Sequence, residues 1–287
     1  MTSQTLDSAV TGCSLPEAAR QLVHSSDCEI PVLPEVSVQL LNLTSDVDCN
    51  PADIVALFRR DQSLTAHLLK VANSARYSAG QTVTSIQQAV ARLGLLRVRE
   101  IVFVISCQSK VFNCSEFEEE VRASFRRSLA TAAFSQEIAR IRRLNVEDAF
   151  LCGLLHDVGR PILLQALVNC RNCGQADGTD EELLLASEDQ RIPMAGRLVQ
   201  SWELPERLSE TIEHQQIPAS APTCQKQAAI LNLAIDLAAL ALDPAAETSI
   251  SGDFSHPMMA VLNLYPEEFS GIWQQRAAVL DWVGASA

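Results

Sequence analysis

The chain has 287 residues, 47% of them hydrophobic, so it can bury a sizeable core and is not expected to be disordered. Its 35 acidic and 22 basic side chains give a net charge of −13, which argues against nucleic acid as the main partner, because binding to phosphates requires a surplus of cations. No secretory leader and no run of 18 apolar residues is evident, so we expect a cytoplasmic protein without a membrane partner.

Nine cysteines are scattered along the chain, and without a leader they are expected to be reduced and mostly buried. Two of them, Cys170 and Cys173, form a C-x-x-C pair in a polar loop. A single pair of this kind is more typical of incidental loop cysteines than of a metal or redox site. We therefore predict no cofactor and no metal at this pair.

Helical periodicity runs through the chain from residue 15 onwards, whereas residues 1–14 have no periodicity and are predicted to be a flexible tail. Asn50 precedes Pro51 in a pattern typical of a helix start. Residues 95–112 include a β-branched run that would suit a strand. No partner strand is evident nearby, so we predict a fully buried helix there. Asn145 is predicted to cap the helix that follows it.

These elements predict an all-α protein with two helical halves and a helical extension. The N-terminal half covers residues 15–115, the second half covers 116–243 and the C-terminal extension covers 244–287. Trp273 and Trp282 lie in the extension, and we expect both to dock onto the body of the protein.

The most informative stretch is an apolar run that ends in His156 and Asp157 and continues with Gly159 and Arg160. An imidazole beside a carboxylate is typical of a metal site or an acid–base pair. A metal site needs further ligands from other helices, and the chain has only five histidines. His67 is predicted to lie in the core or at its boundary, and His24 and His256 at the surface.

Nucleophilic catalysis is not favoured by the sequence. No G-x-S-x-G, P-loop or G-x-G-x-x-G motif is present. Cys152 lies one helical turn before His156, but its apolar surroundings should raise the pKa of the thiol and disfavour the thiolate.

Two blocks of sequence together carry a family resemblance. The first lies in residues 33–94 and the second is Ala149–Arg160. The segments that match in the first block are Asp61–Thr65, Leu69–Ala75 and Val83–Gly94. In this order and spacing the chain resembles the HDOD domain of bacterial signalling proteins, a relative of the HD phosphohydrolases. The resemblance covers about residues 15–218 and weakens towards residue 242. It implies an all-α, HD-like bundle with a regulatory role.

The resemblance also implies where an HD-type metal pocket would lie. We call His156 and Asp157 the doublet. The histidine that precedes the doublet in HD phosphohydrolases corresponds to Arg127, and a later histidine falls near Arg191. A tandem histidine corresponds to His214 and the glutamine after it, and the closing aspartate resembles Asp236. Arg160 stands where a lysine often follows the doublet. The former metal pocket would therefore comprise Arg127, His156, Asp157, Arg160, Arg191, His214 and Asp236.

Arginine cannot bind a metal, because its guanidinium offers no lone pair. Arg127 and Arg191 are instead expected to pair with Asp157 or Asp236. We interpret the cluster as a polar group that holds helices together. A residual ligand-binding or anion-binding role is the open alternative, and an active enzyme would use His156, Asp157 and Asp236.

Three functions follow from these observations. The first is a non-catalytic regulatory or signal-transduction module that acts through protein partners. The alternative is a metal-dependent phosphohydrolase or phosphodiesterase of the HD type with an unusual ligand set. The third is a sensor of small anions or nucleotides that uses Arg127, Arg160 and Arg191, since arginine forks suit phosphate.

Overall fold

The computed structural model describes residues 12–25, 28–33, 35–36, 38–39, 43, 50–58, 62–74, 77, 80–112, 114–245 and 254–286. Across these ranges the regular structure is helical apart from one pair of two-residue strands, which confirms the predicted all-α class.

The helices before the doublet are α1 (Leu15–His24), α2 (Pro51–Phe58), α3 (Gln62–Ala72), α4 (Ile86–Lys110), α5 (Glu118–Arg142) and α6 (Val146–Leu155). Those after it are α7 (Gly159–Asn172), α8 (Asp180–Ser201), α9 (Glu206–Glu213), α10 (Gln225–Leu242), α11 (Pro257–Leu262), α12 (Pro266–Gln274) and α13 (Arg276–Ser286). Short 3-10 helices cover Ser115–Phe117 and Pro218–Ser220, and the strands are β1 (Cys13–Ser14) and β2 (Ala176–Asp177).

Helix starts follow the local sequence signals. Asn50 Oδ1 accepts a hydrogen bond from the backbone N–H of Ala52 at 3.0 Å. The Asn145 side chain accepts from the N–H groups of Glu147 and Asp148, both at 3.0 Å. Both asparagines therefore satisfy N–H groups that a helix start leaves without partners, as predicted.

In the ambiguous segment 95–112, residues 95–110 are helical and form the second part of α4. The helix is not fully buried as predicted, because Leu96 is 44% exposed and its last turn faces solvent. Its β-branched run is buried, with Ile101 and Val102 at most 3% exposed. Gly94 interrupts α4 with φ 74° and ψ 163°, a conformation that is strained for any residue with a Cβ. The glycine therefore lets the chain turn between the two parts of α4, which both contribute buried side chains to the core.

Helix α1 lies against the second half of the molecule and packs on α7 and α8. Arg197 Nη1 on α8 donates to the carbonyl of Leu22 at 2.8 Å, which fixes the end of α1. Before α1, Cys13 pairs in parallel with Ala176. Gly12 to Ser14 thus depart from the predicted flexible tail because they are hydrogen-bonded to the loop after α7. The rest of the predicted tail, residues 1–11, lies outside the described residues.

Side chains of Trp202 and Glu100 also join the two predicted halves of the chain. Trp202 Nε1 donates to the carbonyl of Pro31 at 2.7 Å, and the indole meets the ring of Phe103 on α4 edge-on at 5.8 Å. Glu100 on α4 accepts from Arg97 at 2.6 Å and from Gln136 on α5 at 2.7 Å. Glu100 and Gln136 are both buried, so this polar group lies inside the contact between the halves.

The C-terminal extension docks through its tryptophans, as predicted. Trp273 stacks on Phe134 with ring centroids 6.3 Å apart, and Trp282 meets Phe150 at 6.2 Å. Trp282 is 3% exposed. Helix α13 packs on both α5 and α3 and so covers part of each half.

The stretch Val146–Asn172 is, by length and composition alone, apolar enough to cross a membrane, with a mean hydropathy of 1.3. Within the fold, 78% of its most apolar window is buried against other helices. That burial is typical of core helices in a soluble protein.

Candidate functional site

Glycines lie on both sides of the doublet, at positions where the backbone of a neighbouring helix leaves no room for a Cβ. A Cβ added to Gly153 on α6 would lie 2.5 Å from the Cα of Ala132 on α5. A Cβ added to Gly159 at the start of α7 would lie 1.9 Å from the carbonyl oxygen of Arg191 on α8. These approaches place α5 and α8 on either side of His156 and Asp157.

His156 is 4% exposed, and its Nδ1 lies 2.8 Å from the carbonyl oxygen of Gly153. Because a carbonyl only accepts, Nδ1 carries the proton and donates it. Burial lowers the pKa of His156 below its ordinary value of 6.5, and this outweighs the opposing effects of Asp157 and the Gly153 hydrogen bond. The side chain is therefore a neutral imidazole with Nε2 as an acceptor.

Asp157 is also 4% exposed and has partners on both carboxylate oxygens. Its Oδ2 accepts from Ser124 Oγ at 2.5 Å and lies 3.5 Å from Arg127 Nη2. Its Oδ1 lies 3.4 Å from Arg191 Nη1. A buried carboxylate is thus compensated by one hydroxyl and two guanidinium groups.

The ion pairs continue from Asp157 towards the surface. Arg191 Nε also donates to Glu188 Oε1 at 2.7 Å, and Arg160 Nη1 lies 3.5 Å from Glu188 Oε2. We call the chain formed by Arg127, Asp157, Arg191, Glu188 and Arg160 the arginine ladder. Its three guanidinium groups face two carboxylates, so it carries one surplus positive charge.

Two members of the predicted pocket take other partners. Asp236 on α10 is 56% exposed and lies 2.9 Å from His256 Nε2. His214 Nδ1 lies 2.8 Å from Ser220 Oγ. The prediction of a surface position for His256 is wrong, because its side chain is only 12% exposed. The structure therefore brings His156, Asp157 and the three arginines together and engages Asp236 and His214 elsewhere.

Three residues of the site were missed by the sequence analysis. Ser124 and Glu188 each lie three positions before an arginine of the ladder, a spacing that puts two side chains on one helical face and could have revealed them. Gln215 is 1% exposed, and its Nε2 donates to the carbonyls of Ile212 at 2.9 Å and His156 at 3.3 Å. His214 and Gln215 stand at the two tandem-histidine positions. Of these two residues, Gln215 is the one that is hydrogen-bonded to the doublet, through the carbonyl of His156.

A metal ion does not fit the residues at this site. Within the described part of the chain, no three His, Cys, Asp or Glu side chains converge in a way that could hold a metal. Both oxygens of Asp157 face cationic groups, which compete with a metal for the same lone pairs.

Among the residues that the structure describes, the cysteine near the doublet and those of the C-x-x-C pair give no sign of an activated nucleophile. Cys152 is 2% exposed, and burial raises the pKa of its thiol far above the ordinary value. Burial likewise raises the pKa of Cys170, whereas Cys173 is exposed, and both are free thiols. A buried neutral thiol is a poor nucleophile.

Comparison with known proteins adds a family and a fold. The HDOD domain family matches residues 30–218. A protein from Treponema pallidum (strain Nichols), named only as an uncharacterized protein, is 26% identical over 199 residues, which are 66% of this chain and 38% of that protein. The chain thus matches less than half the length of that relative.

Solved structures share the architecture over nearly the whole chain. A candidate metal-dependent phosphohydrolase from Shewanella amazonensis SB2B aligns with TM-score 0.70 and 20% identity, covering 95% of this chain and 98% of that one. An HDOD domain protein with unknown function from Geobacter sulfurreducens aligns with TM-score 0.63 and 24% identity, covering 92% and 96%. A candidate signal transduction protein from Marinobacter aquaeolei VT8 has TM-score 0.65 and 19% identity, covering 95% and 66%. At these identities the likeness concerns the fold.

Proposed function

The chain belongs to the HDOD domain family, and we propose that it is a non-catalytic regulatory module of signal transduction that acts through protein partners. The observation that carries the proposal is the environment of Asp157. Its two oxygens are engaged by Arg127, Arg191 and Ser124, so the carboxylate that an HD enzyme would offer to a metal is already neutralised.

Electrostatics supports the same conclusion. Two unit charges 4 Å apart interact by about 4 kcal/mol at the effective dielectric of a protein surface. A divalent cation at Asp157 would therefore meet repulsion of several kcal/mol from each nearby guanidinium. Removing a guanidinium from its carboxylate to make room would leave the buried charge of Asp157 less compensated. The ladder is best suited to join α5, α7 and α8, with the partner surface elsewhere.

The alternative is a metal-dependent phosphohydrolase or phosphodiesterase with an unusual ligand set. Its support is the neutral His156, whose Nε2 is an acceptor, together with a fold shared with a candidate metal-dependent phosphohydrolase. The third hypothesis, an anion sensor at the arginine ladder, has less support because each of its arginines has a carboxylate partner.

Metal content and cellular effect distinguish the first two functions. We expect protein purified without chelator to hold far less than one Fe, Mn or Zn per chain and to leave a generic phosphodiester intact. A His156→Gln variant that folds as the parent does should retain both the cellular effect of the protein and its cross-linked partners. Stoichiometric metal with hydrolysis that His156→Gln abolishes would overturn the proposal.

A further inference from the structure

A cavity of about 290 Å³ lies where the end of α5, the start of α10 and the end of α11 meet. Its cationic lining residues are Arg142, Arg143 and Lys226, and Leu144 and Val261 contribute apolar surface. None of the residues that line it is acidic. In a chain of net charge −13, a cavity with three cations and no acid is unexpected and calls for a physical reason.

Arg143 breaks a local rule at this cavity. It follows the last residue of α5 in a left-handed conformation, with φ 53° and ψ 39°. Glycine is the usual residue at this position, because a Cβ costs about 1 kcal/mol in the left-handed region. Arg143 is exposed, so no packing contact of the core explains its presence.

Lys226 breaks a second rule at the same cavity. It is the second residue of α10, and that helix has no acidic residue in its first turn. A positive side chain near a helix N-terminus is disfavoured by the helix dipole, by about 0.3–1 kcal/mol at an exposed site. Sequences that specify a fold tend to break such rules at functional sites, and here two exceptions face one cavity.

Of the three cations that line the cavity, Arg142 is bound to other parts of the protein. Its guanidinium donates to the carbonyls of Leu262 and Asn263 and pairs with Glu268. Glu210 on α9 accepts hydrogen bonds from the backbone N–H groups of Thr223 and Cys224, and its carboxylate thereby caps the start of α10. Among the residues that the structure describes, no carboxylate forms an ion pair with Arg143 or Lys226.

We propose that this cavity binds a small organic anion, whose phosphate or carboxylate group lies between Arg143 and Lys226. Arginine presents a fork that matches either oxyanion, and lysine adds a point charge. The apolar part of the ligand would lie against Leu144 and Val261. The volume is near the lower end for ligand pockets, which selects molecules of about nucleoside size or smaller. The site is separate from the arginine ladder and does not depend on the function proposed above.

The experiment is calorimetric titration of the full chain at low salt. The phosphate probes are inorganic phosphate and the nucleoside monophosphates, and the carboxylate probes are succinate and citrate. We expect saturable binding of at least one probe, with an affinity that falls as salt rises. The class that binds identifies the oxyanion.

Arg143→Gly and Lys226→Gln test the assignment, and each should weaken binding at least tenfold. Arg143→Gly should unfold at the same temperature as the parent or higher, because glycine relieves the left-handed strain. Arg122→Ala is the matched control, since Arg122 is exposed on α5 and pairs with Glu118. The proposal fails if no probe binds, or if the double variant Arg143→Gly/Lys226→Gln binds as the parent does.

Discussion

Single side chains at the doublet were partly predictable. Arg127 and Arg191 were expected to pair with Asp157 or Asp236, and the structure places both on Asp157. The sequence could not decide between the two carboxylates, because the choice depends on how α5, α8 and α10 pack against one another, which periodicity within each helix does not reveal. Asp236 lies on an exposed face of α10 and pairs with His256, which is twenty positions later in the chain.

Glu210 gives a prediction at the scale of one carboxylate. It accepts hydrogen bonds from the N–H of Thr223 at 2.6 Å, from the hydroxyl of Thr223 at 2.7 Å and from the N–H of Cys224 at 2.7 Å. These bonds, that of the Thr223 backbone first, lower the pKa of Glu210 from 4.5 to about 2. Because the folded pKa lies below the unfolded one, the carboxylate contributes stability above about pH 4.5 that is lost as the pH falls towards 2.

We therefore expect Glu210→Gln to lower the melting temperature by a few degrees at pH 7, with a difference from the parent that shrinks as the pH falls from 4.5 towards 2. Thermal unfolding followed by circular dichroism over this range measures it. Glu119→Gln, at an exposed position on α5, is the control. An unchanged difference across the range would contradict the role of the charge.

At the scale of elements, helix starts and helix type followed from local sequence, whereas helix–helix distances did not. Asn145 predicted the start of α6, and the absence of partner strands predicted that residues 95–112 are helical. Gly153 and Gly159 looked like parts of a motif. Their physical reason is the approach of Ala132 and Arg191, which lie 21 and 32 positions away and whose packing cannot be deduced from periodicity.

Gly159→Ala should destabilise the protein by about 1–3 kcal/mol, because backbone atoms of Arg191 and Ala195 occupy the space that a Cβ needs. Chemical denaturation measures the change. Gly271→Ala on α12 is a matched control, since nothing lies within 4 Å of its added Cβ, and we expect it to stabilise by about 0.5–1 kcal/mol. Equal effects of the two substitutions would show that close approach at Gly159 is not the cause.

At the scale of the whole molecule, the halves are joined by contacts between residues far apart in sequence. The Trp202–Pro31 hydrogen bond links the end of α8 to residues 28–33, the connector that follows α1. The partners of Trp202 could not be predicted, because long-range contacts depend on how all the helices pack.

Trp202→Phe keeps an aromatic ring against Phe103 but removes the indole N–H. We expect a loss of about 0.5–1.5 kcal/mol, the usual net contribution of one hydrogen bond, and faster amide hydrogen exchange in residues 28–33. Trp273→Phe is the control, because Trp273 stacks on Phe134 in the extension and should leave exchange in residues 28–33 unchanged. Unchanged exchange in Trp202→Phe would mean that other contacts hold the connector.

The packing of α1 against α8 has a consequence for synthesis on the ribosome. Leu22 at the end of α1 receives its hydrogen bond from Arg197, which lies 175 residues later in the chain. At a translation rate of roughly 5–20 residues per second, about 9 to 35 s pass between the synthesis of Leu22 and the synthesis of Arg197. During this interval its apolar face, which includes Leu15, Ala18, Leu22 and Val23, has no native surface to cover it. The nascent chain should therefore be a substrate for chaperones that shield exposed apolar segments until α8 has emerged.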